Sequence, residues 1–178
     1  MNKKFTFKIF GSVLALFLLS ACASNPEKTS EYSAQDIMFA EMMIPHHEQA
    51  IVMSDLALAK STNPEILELA REIKDAQGPE IEQMKSWEGV DANTHMGHTM
   101  MGMLDEEEIT NLKTALGKDF DRLFLEGMIK HHEGAIDMAG MIADSKNQEV
   151  ADLGKAIIAT QTSEIKFMQT LLATLKSD

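Results

Sequence analysis

Cysteine is nearly missing: Cys22 is the only one in 178 residues. A single thiol closes no internal disulfide and offers no thiolate pair. Any soft-metal chemistry in the folded part must therefore use thioethers and imidazoles. Aromatic residues are sparse at 6%, with one Trp and one Tyr. No Val/Ile/Thr-rich run or period-two alternation stands out, which argues against a β architecture. Basic residues are also few, 16 against 28 acidic ones, for a formal net charge of −12. Such a surface repels nucleic acid and attracts cations. Only one apolar run is long, Ile9 to Leu19, and it is too short to span a bilayer as a helix.

That run follows Lys3, Lys4 and Lys8 and ends in Leu19-Ser20-Ala21-Cys22. A positive stretch, a short apolar run and small residues form an export signal. The Leu-Ser-Ala-Cys ending resembles a bacterial lipobox, which implies cleavage before Cys22 and lipidation of its thiol. Ala23 after the cysteine then favours the periplasmic face of the outer membrane in a Gram-negative host, or the outer face of the cell membrane in a Gram-positive one. Removing the three lysines with the leader leaves 13 basic residues against 28 acidic ones, a net −15. The expected organisation is a signal over residues 1–21, a lipidated cysteine and flexible stalk over 22–33, and one domain over 34–176.

Within that domain apolar residues recur at spacings of three and four, the mark of amphipathic helices. Four are expected, at about 34–60, 64–87, 105–144 with a break near Gly117, and 147–175. Ser33 and Asn63 are N-caps, and Pro64 takes the first helical position. Pro45 and the Gly78-Pro79 pair fall inside helical patterns, where kinks are expected.

What is abundant is methionine, 14 residues, and it comes with histidine. MIPHHEQAIVM at 43–53 returns 85 residues later as MIKHHEGAIDM at 128–138. The following helices match at an offset of 84, Gln77, Glu80 and Met84 becoming Gln161, Glu164 and Met168. Two copies of a helical hairpin, about 34–87 and 105–176, joined by a linker over 88–104, predict an all-α four-helix bundle. Seventeen linker residues reach roughly 55 Å when extended. That length fits a ferritin-like crossover or a slack antiparallel link.

At 100° per residue Met43 and His47 lie one turn apart on the core stripe, with His46 and Met53 on its flank. The second copy offers Met128, His131, His132 and Met138 in the same pattern. Neutral imidazole with thioether suits copper, methionine favouring Cu(I) and histidine accepting both oxidation states. Methionine at helical spacing is more often plain core filler, but the recurrence of adjacent histidines at matched positions favours a site. Gln77, Glu80, Gln161 and Glu164 are the expected supports, a carboxylate accepting one ring N–H so that the other nitrogen faces metal. The linker tract THMGHTMMGM places His95, Met96, His98, Met100, Met101 and Met103 in a segment with no helical pattern, a third candidate donor group.

The doubled Met-x2-His-His-Glu-x-Ala-x2-Met segment, with Gly78-Pro79-Glu80-Ile81-Glu82-Gln83-Met84, resembles the bacterial family known as domain of unknown function 305. The resemblance covers about residues 34–175. It implies a ferritin-like four-helical fold and, as in some members, extracytoplasmic copper binding linked to copper tolerance, with sites at Met43, His46, His47, Met53, Met128, His131, His132 and Met138. The expected function is a lipid-anchored metal-binding protein that sequesters or transfers copper, Cu(I) before Ag(I) or Cu(II). No turnover chemistry and no organic cofactor are expected; partners are the ion, the membrane through Cys22, and a copper pump or acceptor protein. The competing readings are a metal-free helical interaction module and a ferritin-like oxidase or haem-binding bundle. The oxidase needs Glu-x-x-His on two helices, and Glu41 and Glu126 stand five residues before His46 and His131 instead.

Overall fold

The computed structural model describes residues 31–175. The expected leader, Cys22 and most of the stalk lie outside the described residues. Among those described there is no strand, and no helix is long and apolar enough to cross a membrane.

Helix α1 (Ala34–Lys60) begins at a reciprocal cap: the Ser33 hydroxyl accepts from the Asp36 amide, and the Asp36 carboxylate accepts from the Ser33 amide. Helix α2 (Pro64–Lys85) begins at Asn63, whose side chain accepts from the Glu65 amide. Pro64 costs that helix nothing, because its missing N–H would have had no intrahelical acceptor. Both α1 and α2 continue past their internal prolines. The break expected near Gly117 is present, leaving α3 (Glu106–Thr114) and α4 (Gly117–Gly140), because Gly117 takes φ +55° and turns the chain. Tight turns occupy 141–144, and α5 (Gln148–Leu175) closes the fold.

Three contacts show that α1 and α4 run antiparallel. Gln35 donates to the Met141 carbonyl, His131 to the His46 carbonyl, and the Lys60 ammonium lies 5.5 Å from the Phe120 ring centroid. The end of α2 returns beside the start of α1, where Gly89 faces Ile37. Helix α4, however, starts beside the end of α1. The chain over 86–116 therefore travels the length of the bundle, so the linker is a crossover of the ferritin-like kind.

The apolar interior falls into two clusters. One gathers Ala50, Met53, Ile66, Leu69, Ile73, Phe120, Phe124, Met128, Met168 and Leu171, capped by Leu112 of α3. The other gathers Phe39, Met43, Ile44, Met84, Trp87, Met138, Val150 and Ile157. Between them lies a buried polar layer, His46 and His47 from α1, Gln77 from α2, His131 and His132 from α4, and Gln161 from α5.

Candidate metal centre

Every member of the polar layer is at most 2% exposed. Adjacent histidines on one helix diverge by about 100°, and the structure uses that divergence. His46 and His131 turn toward each other across the α1–α4 crossing, their ring centroids 3.8 Å apart. His47 and His132 turn instead toward the partner helix of their own hairpin. His47 Nε2 meets Glu80 Oε2 at 2.8 Å, and His132 Nε2 meets Glu164 Oε2 at 2.7 Å. Both glutamates are partly exposed, so each links a buried imidazole to the surface.

The Nε2 atoms of the central pair are engaged as well. His46 Nε2 donates to the Met101 carbonyl at 3.1 Å and His131 Nε2 to the His46 carbonyl at 2.9 Å. A carbonyl only accepts, so both rings carry their proton on Nε2 and keep a bare lone pair on Nδ1. Burial, with the neighbouring histidines adding to it, holds His46 down to about 3 and His131 well below the ordinary histidine range. These rings are neutral at physiological pH, the state in which imidazole ligates metal.

The Nδ1 atoms of all four histidines are buried without a hydrogen-bond partner, and so are both amide atoms of Gln77 and Gln161. Leaving a buried polar atom unpaired costs about 1–3 kcal/mol. Eight such atoms in one layer would cost on the order of 10 kcal/mol, comparable to the net stability of a domain. A bound ion, or water, is what this layer is built to meet, and four bare imidazole nitrogens fit a metal. No three His, Cys, Asp or Glu side chains converge as a metal cage among the described residues. Met43, Met53, Met128 and Met138, the thioethers expected beside these imidazoles, are buried on the flanks of the layer.

The linker is docked at this layer. Met101 presents its carbonyl to His46 while its side chain stays exposed, and the Gln49 amide both donates to the Leu104 carbonyl and accepts from its N–H. Gly134 makes the approach possible, since a Cβ there would stand 2.1 Å from the Met101 oxygen. Of the other tract residues, His95, Met100 and Met103 are half-buried, whereas Met96 and His98 are exposed. His95 and His98 hold their Nδ1 atoms 3.5 Å apart, so two of the six tract donors already meet.

A family model described as domain of unknown function (DUF305) matches residues 36–172. The chain belongs to the DUF305 family. Solved DUF305 structures share its fold. A fragment from Deinococcus radiodurans is 30% identical with a TM-score of 0.71, the match covering 80% of this chain and 97% of that one. CopM in its Cu(II)-bound form is 38% identical with a TM-score of 0.68, covering 78% and 96%. The Cu(I)-bound form of CopM is 36% identical with a TM-score of 0.66, over the same shares, and silver-bound forms of CopM match as well. No curated protein matches the chain.

Sequence reasoning named the four histidines and their glutamates but passed over three features of this DUF305 centre. Met84 and Met168, noted only as matched positions of the two copies, are fully buried in the two core clusters. The Met101 carbonyl is backbone, which no side-chain motif announces. The Gly134 contact was legible only as a mismatch, glycine standing where the first copy has Gln49.

Proposed function

We propose that this DUF305 protein binds copper at its buried histidine layer, as an exported carrier or buffer rather than an enzyme. The observation that carries the reading is the set of four buried, unpartnered Nδ1 atoms whose opposite nitrogens are all occupied. Glu80 and Glu164 act as the supports that orient His47 and His132, the carboxylate–histidine–metal arrangement that raises ligand basicity. Thioethers at the flanks favour Cu(I), and silver is its chemical analogue. The metals held by the similar CopM structures are consistent with this choice.

All four histidines of the layer are fully buried, which favours holding an ion over turning over a larger substrate. Glu41 and Glu126, five residues before the histidine pairs, are engaged elsewhere, with the Asp91 amide and with Arg122. The lipobox-like leader supports a position in the cell envelope, tethered through Cys22, where the protein would pass copper to a pump or acceptor. The partly exposed His95–Met103 tract serves as the outer collecting point.

The test is an anaerobic Cu(I) titration of the protein against a competing chelator, beside a variant with His46, His47, His131 and His132 all changed to alanine. The expected result is a loss of at least 100-fold in affinity in the variant. Affinity retained in full would move the principal site to the linker tract. Affinity no greater than that of free histidine and methionine would leave the metal-free interaction module as the better reading.

A further inference from the structure

All four core imidazoles are fully buried, so an ion that reaches them must pass something that moves. Three of the rings have their Nε2 closed off by helices. His131 meets the His46 carbonyl of α1, and His47 and His132 meet Glu80 of α2 and Glu164 of α5. A helix steps aside only by giving up its core packing. His46 differs, because its Nε2 is closed by irregular chain, the Met101 carbonyl of the linker. This segment, 100–104, lies on α4 with little interlocking of side chains. Gly127 and Gly134, seven residues apart, share one face of α4. A Cβ at Gly134 would stand 2.1 Å from the Met101 oxygen, and one at Gly127 3.0 Å from the Leu104 side chain. Gly102 takes φ +83°, and a Cβ there would stand 2.6 Å from the Lys130 carbonyl oxygen. Met42 and Gln49 occupy the places of Gly127 and Gly134 in the first copy, so α1 has no such bed.

We propose that residues 100–104 form a strap that gates the histidine layer, its lifting at Met101 being the step that admits and releases the ion. On α1 the strap is held by His46 and by the paired bonds between the Gln49 amide and the Leu104 backbone. A few hydrogen bonds and one buried leucine place it at the low end of local stability, from which lids are drawn. A cleft of about 270 Å³, lined by Leu104, Glu108, Gly127 and Lys130 among others, opens beside it and gives it room to move. Met101 faces both ways, with its carbonyl on His46 and its side chain exposed. The proposal rests on the reading of the layer as the metal site, and adds the route by which that site is filled and emptied.

The test is kinetic. Protein expressed from its full sequence and held in mild detergent would be loaded anaerobically with one equivalent of Cu(I). It would then be mixed with an excess of a coloured Cu(I) chelator, and release followed by stopped-flow absorbance. The release rate is expected to level off as chelator is raised, because lifting of the strap becomes limiting. Gln49→Ala removes both bonds to Leu104 and is expected to raise the plateau rate about tenfold or more. Uptake should quicken by the same factor and affinity stay within about threefold, since a gate that favours neither the loaded nor the empty state shifts no equilibrium. Ile66→Val, a core truncation in α2 away from the strap, controls for general loosening and should leave the rate within about twofold. A plateau rate unchanged in Gln49→Ala, matched by Ile66→Val, or absent because release keeps rising with chelator would overturn the strap as the gate. Failure of the wild-type protein to hold Cu(I) at all would overturn the metal-binding reading instead. A metal-free readout is hydrogen exchange of the Leu104 amide, which donates to Gln49. It should exchange well before the core amides of α1 and α4, and exchange no sooner than theirs would show that the strap opens only with the whole fold, refuting the gate.

Discussion

The two hairpins begin from nearly the same sequence and end in different surroundings. In the first, Gln49 reaches the linker with a side-chain amide; in the second, Gly134 meets it with no side chain at all. His46 donates to the linker carbonyl of Met101, whereas His131 donates to the backbone of the opposite hairpin. The Trp87 end gathers five methionines, and the other end gathers three under Leu104 and α3. One asymmetric linker thus gives matched donors unmatched environments. The two halves of a duplicated site need not bind alike.

The largest expected effect comes from acid and acts on the part both hairpins share. An unfolded chain protonates its histidines near pH 6.5, but His46 resists until about 3 and His131 is also well lowered. Below pH 6.5 the unfolded state therefore binds more protons, and stability falls as pH falls. It is fully present above that pH. At roughly 1.4 kcal/mol per pH unit for each ring, the metal-free protein loses about 4 kcal/mol between pH 7 and 5. Urea midpoints at the two pH values measure it, and a His46→Gln, His131→Gln variant should lose most of the slope.

Next comes Gly134→Ala. Helix propensity alone would make it stabilising by up to about 1 kcal/mol, but the Met101 oxygen leaves no room for a Cβ. Expulsion of the linker and loss of the His46 acceptor should destabilise by about 3 kcal/mol instead. The sign, read from thermal or urea unfolding, separates the two accounts. Gln49→Ala at the matched position removes two hydrogen bonds to Leu104 and should cost about 2 kcal/mol. The smallest effect is at the surface pair Lys85–Glu48, present in the first hairpin only, where Glu133 takes the place of Glu48 and Gln169 that of Lys85. Removing both partners should change stability by about 0.5 kcal/mol or less.

Much of this was legible from local pattern. Capping by Ser33 and Asn63, the break at Gly117, and the burial of His46, His47, His131 and His132 each follow from spacing and side-chain chemistry within one or two turns of helix. The copper and silver held by CopM agree with the metal class that imidazole and thioether together select. What the sequence withheld is long-range. Nothing local says that His46 faces α4 while His47 faces α2, or that a linker carbonyl fills the Nε2 position of one ring. Nor does any motif show that Met84, 41 residues after Met43 in the chain, shares its cluster. The duplication was visible, but the uneven dressing of its two copies depends on where the crossover lies.

The buried histidine layer serves metal only if its imidazoles bind through Nδ1 while Nε2 stays protonated. Long-range ¹H–¹⁵N imidazole spectra at neutral pH, before and after silver nitrate, read both nitrogens of each ring directly. Four rings protonated at Nε2 are expected, with lone-pair Nδ1 signals that shift on silver binding while the Nε2–H signals persist. Silver displacing the Nε2 protons, or leaving all four Nδ1 signals where they were, would contradict it.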